Sequence, residues 1–150
     1  MNIEKQVVGQ VTSFELSKKI AELGVSQNSL FHWAVHCDGK DTSIELGKPE
    51  PNNACKCRSY SAFTVAELGE KLPTNIQYNG FDAQLKIIHL HNGTWQVSYT
   101  GLVIKCKECE TTKLDTVVYR VSNTQAEAYA KMLIYLIENK LIDVKEQPKC

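Results

Sequence analysis

The chain has 150 residues, 43% hydrophobic and 23% charged, the size and composition of one globular domain able to bury a core. Seventeen Lys and Arg balance seventeen Asp and Glu, which excludes a strong net field toward nucleic acid or an anionic membrane. The opening MNIEKQVVGQ lacks an apolar run with a cleavage site and no stretch is long enough to span a bilayer, so a soluble cytoplasmic protein is expected, its six cysteines serving as thiols or metal ligands.

In chain order, VTSFELSKKIAELG (11–24) carries helix signals at both ends. Thr12 and Glu15 form a capping-box pair, Val11 can staple onto Leu16, and Gly24 supplies a left-handed stop. Leu16, Ile20 and Leu23 make the buried stripe. Residues 29–36, SLFHWAVH, read as a strand in which Phe31, Trp33, Val35 and Cys37 are expected on the core face and Leu30, His32, Ala34 and His36 opposite. From about residue 38 to 61 the pattern dissolves into Gly, Pro and Asn, and predicts an irregular arm with one short strand around Ser43–Leu46.

FTVAELGEKLP (63–73) predicts a short helix with a second capping box, Thr64 and Glu67, a Phe63 to Leu68 staple, and Pro73 as its stop. Two β-rich runs, QLKIIHLH and TWQVSYTGLVI, flank Asn92-Gly93, which predicts a hairpin with a type I′ turn. Pairing His91 with Thr94 places Ile88, Leu90, Trp95, Val97 and Tyr99 on one face, with Leu85, Ile87, His89, His91, Gln96, Ser98 and Thr100 on the other. TVVYRV (116–121) is the next strand.

It leads into Asn123–Leu141, a helix opened by Thr124-x-x-Glu127 and apolar over more than half its circumference, leaving a polar wedge of Glu127, Lys131 and Glu138. So broad a face implies either a sheet beneath and helices at its flanks, or a partner interface. The whole predicts a single α+β domain over residues 1–150, with an antiparallel sheet of about four strands and helices packed mainly on one face.

Cys55-x-Cys57 with Cys106-x-x-Cys109 is the strongest chemical signal, since paired thiolates can converge at about 2.3 Å on a structural zinc ion. Lysines beside Cys106 favour thiolate. Four reduced thiols without a shared role, or disulfide and redox use, are the alternatives; Cys37 and Cys150 have no partner at ligand spacing. His32 and His36, and His89 and His91, are spaced for chelation but have no carboxylate at a recognisable interval, and read as ordinary polar-face residues. No G-x-S-x-G, H-E-x-x-H or phosphate-cradling glycine loop is present, and a cysteine paired with a distant histidine is the one enzymatic option the sequence leaves open. Phe31, Trp33, Trp95 and Tyr99 fall on apolar faces and the only arginines are Arg58 and Arg120, so base stacking is a poorer account of the aromatics than core packing.

Through VTSFELSKKIAELGVSQNSLFHW, YSAFTVAELGEKLP and TQAEAYAKMLIYLIENKLI the chain resembles a group of small uncharacterised proteins found in phages and prophages of bacteria. The resemblance covers about half of the chain and excludes the cysteine pairs. It implies a phage or mobile-element setting and a bacterial cytosolic host, and brings no catalytic residues. The expected function is therefore a non-enzymatic accessory protein that binds a host protein or a second copy of itself, one use of such proteins being to inhibit a host antiviral defence. A zinc-stabilised nucleic-acid-binding module is the alternative.

Overall fold

The structure, a computed structural model, describes residues 7–36, 39, 41–47, 58–104 and 112–144. Helix α1 (Phe14–Glu22) is followed by β1 (Phe31–Val35), β2 (Thr42–Leu46) and β3 (Arg58–Ala62); then come α2 (Val65–Lys71), β4 (Asn75–Tyr78), β5 (Phe81–His89), β6 (Trp95–Ile104), β7 (Thr112–Ser122) and α3 (Gln125–Glu138). The fold is α+β. Two antiparallel sheets share the strands, one ordered β2-β1-β3 and the other β4-β5-β6-β7. Among the described residues no helix is long and apolar enough to cross a membrane.

Helix α3 is the centre of the core. Ala126, Ala128, Tyr129, Ala130, Met132, Leu133, Ile134 and Leu136 are all buried, because α3 lies across β6 and β7 while α1 and α2 close its flanks. Most of its broad apolar face is thus used in internal packing, with Ile137 and Leu141 half-buried at its end. Val97, Tyr99 and Val118 from β6 and β7, with Ala83 and Ile76, belong to the same core. The small residues Ala126 and Ala130 let the helix approach closely, and Arg120 on β7 stacks on Tyr135 with its guanidinium carbon 4.2 Å from the ring centre. An exposed Lys19–Glu138 ion pair at 2.8 Å joins α1 to α3 and, being screened by water, adds little.

The hairpin between β5 and β6 is displaced by one residue from the predicted pairing. His89 pairs with Trp95, Ile87 with Val97 and Leu85 with Tyr99, so Leu85 and Ile87 join the Val97 side and Ile88 moves to the other. The cause lies in the loop: only Gly93 has positive φ, at 83°, and Leu90 N–H donates to Thr94 O at 2.8 Å. Asn92 uses its side chain instead, accepting from Thr94 N at 3.1 Å and Thr94 Oγ1 at 2.7 Å. The two-residue turn with both φ positive occurs at Asn79-Gly80, at 50° and 83°, between paired Tyr78 and Phe81.

Three further expectations are corrected. Helix α1 begins after Ser13, not Thr12, and Ser13 makes no side-chain cap. Thr12 is fully buried, and its hydroxyl is taken by Ser17 Oγ at 2.6 Å and by Phe63 N at 3.0 Å, so a tertiary contact has claimed the group that would have capped. On β1 the more buried residues are His32 and Ala34, while Phe31, Trp33 and Val35 are half-buried. Trp33 keeps a polar tie, donating from Nε1 to Thr12 O at 2.9 Å, and meets Phe14 edge-on at 6.1 Å. Finally, β3 occupies the end of the segment expected to be irregular, and β4 was not anticipated at all.

Candidate functional site

The four predicted zinc ligands Cys55, Cys57, Cys106 and Cys109, like Cys37 and Cys150, lie outside the described residues. Among the described residues, no group of three or more His, Cys, Asp or Glu side chains is placed to hold a metal ion. The histidine pairs are separated by their surroundings. His32 is sealed in β1 and donates from Nε2 to Ser29 O at 3.1 Å, whereas His36 is exposed beside Ser43. His89 stacks on Trp95 at 4.6 Å, and the shifted register leaves His91 in the loop rather than on the same strand face.

One row of polar side chains does cross a sheet. Glu45 on β2 pairs with His32 on β1, which pairs with Ser61 on β3, so a carboxylate, an imidazole and a hydroxyl share one face in that order. His32 Nδ1 and Ser61 Oγ are both buried and, among the described residues, unpartnered. Such atoms cost stability. Catalysis does not follow, because Ser61 is 0% exposed and His32 3%, and a nucleophile sealed from solvent meets no substrate.

Among the described residues an open cleft of about 410 Å³ lies where the start of β1 meets the starts of α2 and α3. Its walls come from four segments: Val7 and Gln10, Phe31, Thr64 with Val65 and Ala66, and Gln125. The polar atoms there are largely committed. Thr64 Oγ1 accepts Glu67 N at 3.3 Å and donates to Glu67 Oε2 at 2.8 Å, and Gln125 Nε2 donates to Tyr129 OH at 3.1 Å. What the cleft offers a ligand is thus mainly apolar surface from Val7, Phe31, Val65 and Ala66.

Exposed apolar side chains neighbour its lining residues in sequence or register. Leu46, the cross-strand neighbour of Phe31, is 74% exposed, Leu30 57%, and Val8, next to Val7, 51%. A second set, Ile87, Tyr119 and Val121, is exposed on the four-stranded sheet.

The carboxylate of Glu67 is bonded to residues of, and next to, the cleft lining. Its Oε1 accepts Leu30 N at 2.7 Å, while Oε2 accepts Thr64 N at 2.7 Å, Thr64 Oγ1 at 2.8 Å and Ser29 Oγ at 3.1 Å. Burial opposes ionisation of this half-buried group, but the donors from Thr64, Leu30 and Ser29 together outweigh it and hold its carboxyl below the usual range. The Thr64-Glu67 pair was legible in the sequence. Its second pair of donors, on Ser29 and Leu30, was not.

Comparison of the chain with protein-family models, with curated proteins and with solved structures finds no match. The fold and the cleft therefore stand by themselves: an α+β protein whose described residues form an open cleft lined mainly by apolar side chains.

Proposed function

We propose that the chain acts by binding another protein through the cleft between Phe31 and Val65, as a non-enzymatic accessory protein. The observation that carries the reading is a cleft lined mainly by apolar side chains whose lining residues adjoin exposed Leu46, Leu30 and Val8 in register or sequence. Exposed apolar side chains gathered around a concavity lose little by desolvation and gain on contact, which is the balance a protein interface needs. The phage resemblance gives the setting: a bacterial cytosol, with a host protein such as a component of antiviral defence as the partner.

The test is capture from lysate of the bacterial host, with the wild-type chain set against Ala66→Glu. Ala66 is exposed in the first turn of α2, where a carboxylate suits the helix dipole, so the substitution blocks the cleft without unfolding the chain. A protein retained by the wild type and lost by Ala66→Glu supports the reading; no retained protein, or the same set for both, contradicts it. The rival zinc-stabilised nucleic-acid-binding module requires about one zinc per chain together with salt-dependent binding of DNA or RNA.

A further inference from the structure

We infer that the Glu67 carboxylate is a latch beside the cleft, a charge-assisted tie between the wall that carries Phe31 and the wall that carries Thr64 and Val65 that adds to the pairing of Phe31 with Ala62. A capping box needs its glutamate only for the N-cap residue three positions back. Here the same carboxylate also receives Leu30 N–H, 37 residues away, and Ser29 Oγ–H, 38 residues away. Four donors exhaust what two carboxylate oxygens accept well.

Each end of the latch is anchored beyond it. On one side Ser29 O accepts from buried His32, and Leu30 O accepts Gly47 N at 2.7 Å, so the Ser29–Leu30 turn is joined to β1 and β2. On the other side, Thr64 is both the N-cap of α2 and the isolated bridge partner of Val11, which ties it to the N-terminal segment. Phe31 pairs with Ala62 on β3, and Ser29 Oγ donates to Ala62 O at 3.2 Å, so the two parts already meet; Glu67 adds charge-assisted bonds between them. A glutamine at this position has one acceptor oxygen and one amide donor, so it cannot receive Leu30 N on one atom and Thr64 N on the other. At least one of these bonds is lost, or both must share the single oxygen.

Glu67 is a positioning residue, since its carboxylate acts on the walls through Leu30 and Thr64. Its role in partner binding rests on the cleft being the docking site, whereas the coupling of the two walls stands without any ligand. The experiment keeps the two apart. Native-state amide exchange of the full chain is followed by NMR in the wild type, Glu67→Gln and Thr64→Ala, and the apolar dye anilinonaphthalene sulfonate serves as the cleft probe. Glu67→Gln is expected to speed exchange of the Leu30 amide about tenfold or more, the loss of one charge-assisted bond, with Tyr99 and Leu133 unchanged. Thr64→Ala removes the capping hydroxyl but leaves the Leu30 bond, and is expected to move Leu30 by less than about twofold. Dye affinity should change with Glu67→Gln and be lost with Ala66→Glu.

Equal acceleration of Leu30 by Glu67→Gln and Thr64→Ala reduces Glu67 to a cap and overturns the latch, as does no acceleration by Glu67→Gln. A Leu30 response combined with dye binding indifferent to Ala66→Glu keeps the latch and sinks the cleft as a docking site. If Glu67→Gln does not fold, Glu67→Asp replaces it: the charge remains, but the shortened side chain cannot span both walls, and Leu30 exchange must again rise.

Discussion

Under the four-stranded sheet the contacts are apolar and collective: Val97, Tyr99, Ala83 and Val118 meet Met132, Leu133 and Leu136, and all are buried. Around the three-stranded sheet the ties are polar and individually placed. Trp33 Nε1 reaches Thr12 O at 2.9 Å, Ser61 N reaches Gln27 Oε1 at 2.8 Å, and Leu30 N reaches Glu67. Burial of apolar area is non-directional and cooperative, whereas single hydrogen bonds can each be opened at the cost of about 1 kcal/mol. The half that carries the cleft is therefore expected to open locally first, and the other half serves as its scaffold.

The contrast predicts a graded series of substitutions. Leu133→Ala, at the centre of the apolar half, should cost about 2–5 kcal/mol by lost transfer energy and a cavity, seen as a lowered denaturation midpoint. Gly101→Ala tests close approach of β6 to β5: its added Cβ would lie 2.8 Å from Asp82 O, a backbone atom that cannot rotate away, and about 1–3 kcal/mol of overpacking is expected. Tyr99→Phe removes the 2.6 Å bond from the buried hydroxyl to Pro73 O and should cost about 1 kcal/mol. Burial raises the Tyr99 phenol above its ordinary range, so no titration of this group is expected near neutral pH.

In the polar half the effects are smaller and depend on pH. The folded-state pKa of Glu67 is held below the ordinary glutamate value of 4.5, so its contribution is complete above that value and drains away as pH falls through the folded value. Glu67→Gln should lower the denaturation midpoint by an amount equivalent to about 1 kcal/mol at neutral pH and should flatten the acid slope below pH 4.5. Leu46→Ser, on a side chain 74% exposed, should change stability by less than about 0.5 kcal/mol while weakening capture of the partner. A large loss of stability from Leu46→Ser would mean that this side chain is structural and not part of a docking surface.

The long helix was legible because its 3.6-residue period runs through many consecutive apolar positions, from Ala126 to Leu136. β3 and β4 were not. RSYSA and NIQY are short and mostly polar, and in β4 only Ile76 is buried. The two Asn-Gly pairs make the limit plain, for the same dipeptide builds a two-residue turn at Asn79-Gly80 and the end of a longer loop at Asn92-Gly93, where the Thr94 donors settle the matter. A one-residue difference there was enough to exchange the faces of β5. Thr12 misled for a related reason: the local capping signal was sound, but Phe63, far along the chain, took the hydroxyl. The cleft was invisible in the sequence because Val7, Phe31, Thr64 and Gln125 meet only in the fold, and the cysteine pairs that dominated the chemical reading fall outside the described residues.

The division into a collective scaffold and an individually latched cleft is tested most directly by a residue-resolved map of native-state hydrogen exchange in the wild-type chain. Amides of α3 and the middle of β6 should exchange only through global unfolding, while those of Ser29, Leu30 and the first turn of α2 exchange through local openings of much lower free energy. A map in which both groups open together, with one free energy and one denaturant dependence, would contradict the account.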